Sequence, residues 1–115
     1  MQTLIPDTLR ALLLANGAMT RAGRDHDPFP LVKLFTPDGA ATWLLTELDP
    51  DDPDIAFGLC DLGLGFPELG TVSLDELAAL RGPLGLRVER DAGFRADRVL
   101  GAYADAAIAA GAIVT

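Results

Sequence analysis

The 115-residue chain has one cysteine, Cys60, one histidine, His26, and no apolar run near the length of a membrane span. A lone cysteine cannot form an internal disulfide, and Cys60 sits in an apolar, strand-like run where a free thiol behaves as a small hydrophobe. A reducing compartment, the cytoplasm, is the expected location. One imidazole leaves out any hydrolytic triad that needs another, and it is a thin basis for zinc, which takes several nitrogen or sulfur ligands. Apolar stretches such as Leu12 to Ala15 fall far short of the roughly 20 residues that cross a bilayer. Met1 to Ile5 runs straight into Pro6-Asp7, without the basic head, apolar run and cleavage site of a secretory leader. A soluble, non-secreted protein with no membrane partner is expected.

Positive charge is scarce as well: nine Lys and Arg stand against 17 Asp and Glu, for a formal net charge of -8. Nucleic-acid binding draws its affinity from cations that displace counterions, so direct contact with DNA or RNA is disfavoured. The same surplus serves solubility, and it also suits an acidic protein that occupies the basic cleft of a nucleic-acid-binding partner. With 50% apolar and 23% charged residues the composition is that of a globular protein, and the length is that of one domain, residues 1–115.

Pro6 to Asn16 reads as a first helix, with Ile5 at the N-cap, Asp7 in the first turn and Gly17 just past the end. Leu9, Leu12, Leu13 and Asn16 form its inner stripe. Arg21 to Pro30 has no apolar period and two prolines, and reads as a surface connector. Strands are expected over Leu31 to Phe35, Thr42 to Leu48, Ile55 to about Leu62 and Glu68 to Val72, with a further short strand over Leu86 to Arg90. The glycines from Gly58 to Gly70 suit a bent hairpin in which Gly63 or Gly65 takes a positive φ. Ser73-Leu74-Asp75-Glu76 is a capping box that opens a short helix to about Leu80. A last helix is expected from Asp97 to about Ala110, with Leu100, Tyr103, Ala107 and Ile108 inward and Gly111 as its C-terminal cap. The fold class is α+β: an antiparallel meander of about four strands flanked by N-terminal, middle and C-terminal helices.

Period-two alternation puts Trp43, Leu45, Glu47 and Asp49 on one face of their strand. If Phe35 lies opposite Trp43, then Lys33 faces Leu45 and reaches Glu47 diagonally. Trp43 is then the floor of a pocket with Lys33 and Glu47 as polar handles, or the same residues are an amphipathic strand with a surface ion pair. The dense charges Glu89, Arg90 and Asp91 suit a solvated strand edge. Convergence of Glu89 or Asp91 with Glu47 and Glu68 would instead hold Mg²⁺ or Mn²⁺, or divide acid and base roles. No spacing of a recognised metal, cofactor or phosphate site is present, so no cofactor, no metal and no catalytic residue is assigned. The acidic loop Asp49 to Asp54 lacks the bend glycine and the final glutamate of a calcium loop.

The runs Lys33-Leu34-Phe35-Thr36-Pro37, Thr42 to Asp49, Phe57 to Gly70, Ser73 to Leu77 and Gly85 to Asp91 together cover much of the chain. The combination resembles a bacterial domain-of-unknown-function family, numbered 2958. The resemblance implies no established activity, but it does imply a genetic setting on plasmids and mobile elements, near antirestriction and conjugation genes. Two positions depart from the family pattern: Thr71, where relatives carry an aromatic, and Ile5, where they carry Ser or Thr. The leading expectation is therefore a non-enzymatic, cytoplasmic accessory protein that binds another protein. An enzyme built on Trp43, Glu47, Glu68, Glu89 and Asp91, and an acidic DNA mimic, are the alternatives.

Overall fold

The computed structural model describes residues 4–115. In chain order the elements are α1 (Asp7–Arg21), β1 (Val32–Phe35), β2 (Thr42–Leu48), β3 (Ile55–Asp61), β4 (Glu68–Ser73), α2 (Leu74–Ala79), β5 (Glu89–Arg90) and α3 (Leu100–Ala110). Residues 43–46 and Leu48 of β2 are all buried, the pattern of a strand covered on both faces. On one face Val32, Leu34, Trp43, Leu45, Leu48 and Ala56 pack with Ile5, Leu13, Leu74, Leu77 and Val88. On the other, Leu44 and Leu59 pack with Leu100, Tyr103, Ala104 and Ala107 of α3. Between these layers runs one antiparallel sheet of five strands in the order β4-β3-β2-β1-β5, so the α+β class holds, with β5 added to the meander.

The register of β1 on β2 differs by one residue from the expected one: Leu34 faces Trp43, Phe35 faces Thr42 and Lys33 faces Leu44. The turn sets it. The Thr36 amide donates to the Ala41 carbonyl, and the Ala41 amide donates back to Thr36 Oγ1 at 2.9 Å. That closes a four-residue loop and pins every pair beyond it. In the β3–β4 hairpin both Gly63 and Gly65 take positive φ, 81° and 89°, as a glycine-bent turn requires.

Helix α1 does not stop at Gly17 but continues to Arg21, and its N-cap is Pro6 rather than Ile5, which is buried. Gly17 serves close packing: a Cβ there would collide with the carbonyl oxygen of Leu48. Asn16 Nδ2 donates to the Thr46 carbonyl at 2.9 Å, so α1 covers the part of β2 that the shorter β1 leaves open. Leu12, expected inward, is exposed, because Leu9, Leu13 and Gly17 form the inner row one turn apart.

Ser73 caps α2 as expected, accepting from the Glu76 amide at 3.2 Å. Asp54 reinforces it, accepting from Ser73 Oγ at 2.5 Å and from the Asp75 amide at 2.9 Å. The Ser73 hydroxyl bond, followed by the Asp75 amide, holds the Asp54 carboxyl below its ordinary value. A depressed folded-state pKa means the bond stabilises above the unfolded value, about 3.9. That stability is lost as pH falls through the lower folded value. Asp54→Asn should therefore melt below the parent at neutral pH, and the gap should close in melts below about pH 4.

Helix α3 begins at Leu100, not Asp97. Asp97 stays outside as the acceptor for the Tyr103 hydroxyl at 2.9 Å, and Val99 at the N-cap has no side-chain oxygen to offer. The cap comes from the connector instead: Asp27 Oδ1 accepts from the Gly101 amide at 3.0 Å, and the Pro28 carbonyl accepts from the Leu100 amide. Ala104 is buried where Ile108 was expected, and Ile108 is exposed.

Candidate functional site

Trp43 and Glu47 lie on opposite faces of the sheet. The ladder runs Trp43 to Cys60, Leu44 to Leu59 and Leu45 to Gly58, then slips so that Glu47 faces Phe57 and Leu48 faces Ala56. Thr46 is the extra residue, a β-bulge that reverses the phase of everything after it. Leu48 thus turns into the Trp43 cluster while Glu47 turns out with Phe57. Thr46 is itself buried, its hydroxyl reaching the Phe57 carbonyl at 3.4 Å.

The residues singled out from the sequence fall into separate places. Lys33 does not pair with Glu47; its Nζ donates to Thr115 Oγ1 at 2.7 Å and sits 3.8 Å from Asp91. Lys33 and Asp91, with Arg90, Phe35 and Thr42, line a polar depression of about 540 Å³ beside the β1–β2 turn. Glu89 is exposed opposite Phe35. Glu68 lies across from Cys60, in the cross-strand row that starts at Trp43. Glu47 and Glu68 therefore cannot converge, and the described residues hold no group of three or more His, Cys, Asp or Glu able to bind a metal.

Trp43 does underlie a groove, at the β4 edge of the sheet. About 360 Å³ of it is bounded by Trp43, Cys60, Val72 and Glu68 and by the hairpin residues Leu62, Leu64 and Phe66. An adjoining 410 Å³ continues past Trp43, Leu62 and Val72 to Leu77 and Leu80 beside α2. Leu62, Leu64 and Phe66 are 62%, 73% and 84% exposed. β4 ends the sheet, and among the described residues its outer side has no strand partner. Burial, followed by the Glu68 charge, pushes the Cys60 thiol up, which keeps it protonated and unreactive at neutral pH.

Glu47 belongs to a second cleft, of about 420 Å³, on the opposite face between α1 and the β2–β3 loop. Its walls are Gly17, Pro50, Ile55 and Phe57, with Thr20, Arg21, Asp49, Asp51 and Thr71 at the rim. Thr20 Oγ1 donates to Glu47 Oε1 at 3.0 Å and lies 2.7 Å from His26 Nε2. A hydroxyl has one proton, so Thr20 gives it to Glu47 and accepts from a His26 that carries its proton on Nε2. Arg21 pairs with Asp51. Thr20, His26 and Phe57 escaped the sequence reading because they meet Glu47 only through folding.

The family model described as "Protein of unknown function (DUF2958)" matches residues 4–114. The chain belongs to this family. No curated protein and no solved structure matches it. Within this DUF2958 chain Thr71 pairs with Phe57 and shares its face, so a small side chain at that position leaves the second cleft open. Among the described residues no helix is long and apolar enough to cross a membrane.

Proposed function

We propose that this DUF2958 protein is a cytoplasmic accessory factor of plasmids and mobile elements that works by binding another protein, and that the groove at the β4 edge is where it binds. The supporting observation is the row of exposed Leu62, Leu64 and Phe66 beside the outer edge of β4, above a floor of Trp43 and Val72. Exposed apolar surface of this kind costs solubility unless it serves contact. An edge strand takes an extended segment by main-chain hydrogen bonding, while flanking pockets select alternate side chains. Glu68 in the groove and a net charge of -8 favour a partner segment that mixes apolar with basic residues. The genetic setting implied by the resemblance and the single unpaired thiol fit the cellular part of the reading.

The test is affinity isolation of the tagged protein from a bacterial host, with the double variant Leu64→Asp, Phe66→Asp in parallel. The parent should bring down a stoichiometric complex whose assembly slows with salt. The variant should lose the complex while its stability stays within about 0.5 kcal/mol, since both side chains are solvent-exposed. A free monomer from the parent under several conditions, or a complex unaffected by the variant, would count against the groove.

A further inference from the structure

The geometry points to a small-molecule site in the Glu47 cleft, across the sheet from the β4 groove, that takes a primary ammonium carried on an apolar body. The cleft's volume, about 420 Å³, lies in the range of small-ligand pockets, and its back wall of Phe57, Ile55 and Pro50 is apolar. Glu47 is its half-buried carboxylate, with Asp49 and Asp51 exposed at the rim. Glu47 is oriented by Thr20, which is oriented in turn by His26, so the group is positioned before any ligand arrives. An ionised carboxylate offers about four acceptor positions, and among the described residues Thr20 takes one of them. The unused capacity suits a donor with several hydrogens and a positive charge. A primary ammonium has three, and its bond to a carboxylate is charge-assisted. Arg21, at the rim, pairs with Asp51, and among the described residues no Lys or Arg forms an ion pair with Glu47. An anionic ligand meets Glu47, Asp49 and Asp51 together and is repelled. Phe57 supplies a ring face for the apolar part of the ligand, and Thr71 leaves room above it.

Three probes of one shape separate charge from fit: 2-phenylethylamine, 2-phenylethanol and 3-phenylpropionate, titrated into the ¹⁵N-labelled full chain. The amine should give saturable amide shifts at Thr20, Glu47, Phe57 and Thr71, with the alcohol about tenfold weaker and the acid not binding. Glu47→Gln should weaken the amine about tenfold and leave the alcohol unchanged, and Thr71→Phe should block both by filling the cleft. The Leu64→Asp, Phe66→Asp variant should bind the amine like the parent, which keeps this site distinct from the groove. No saturable shift up to millimolar amine, equal binding of amine and alcohol, or amine binding unaffected by Glu47→Gln would each overturn the assignment.

Discussion

Insertion of one alanine between Leu45 and Thr46 should leave the protein without a cooperative melting transition. With the one-residue slip kept, the added residue takes the bulge and every position after it moves on by one, which swings Leu48 out of the core and carries Glu47 into the cluster around Trp43 and Leu45. Exposing a fully buried leucine costs about 2 kcal/mol. Burying an unpaired carboxylate adds several kcal/mol more. Together they approach the whole stability of a small domain, about 5–15 kcal/mol. Thr46→Val is the control, since it keeps the residue count and loses only a long hydroxyl contact, and it should cost about 1 kcal/mol or less. Thermal melts by circular dichroism decide between them. An insertion variant that melts close to the parent would mean that the added residue is taken up locally and that a single bulged residue does not set the phase.

Gly17→Ala should lower stability by about 3 kcal/mol, although it replaces the poorest ordinary helix former with the best. Propensity alone predicts a gain of about 1 kcal/mol in a helix interior. The opposing effect is larger, because the added methyl meets the backbone carbonyl of Leu48 rather than a side chain that can rotate away. Overpacking of this sort costs about 1–3 kcal/mol, occasionally more, and a rigid obstacle puts it at the upper end. At about 4–8 °C per kcal/mol the melting point should fall by more than 10 °C. Ala15→Gly, on the exposed side of the same helix, reports the propensity term alone. If Gly17→Ala instead raised the melting point, the close approach of α1 to β2 would be wrong.

These two positions also mark where the sequence stops being readable. Thr42 to Leu48 is recognisable as a strand from composition, the serine cap of α2 from its spacing, and the β3–β4 turn from its glycines. The bulge is not. Trp43-Leu44-Leu45-Thr46-Glu47-Leu48 carries apolar residues in both phases because both faces of β2 are covered, so the alternation that would reveal a slip is missing. Gly17 is ambiguous for a related reason: a glycine suits the end of a helix and equally a tight contact inside one. Its bond-making neighbour Asn16 declares the second role only when β2 is in place. The candidate site divides the same way. Glu47 stands out as a carboxylate in a strand, but Thr20 and His26 reach it across an intervening strand and loop.

The aspartate that caps α3 has a consequence for how the molecule is made. Asp27 and Gly101 are 74 positions apart, so the carboxylate leaves the ribosome long before the helix it will hold. Until α3 arrives, Leu44 and Leu59 have no helix over them, and the nascent sheet is oily on one side. The connector after α1, unremarkable as a stretch of prolines and charges, is thus a latch waiting for the last helix. A shortened chain that ends before Leu100 would expose the apolar floor that this latch closes.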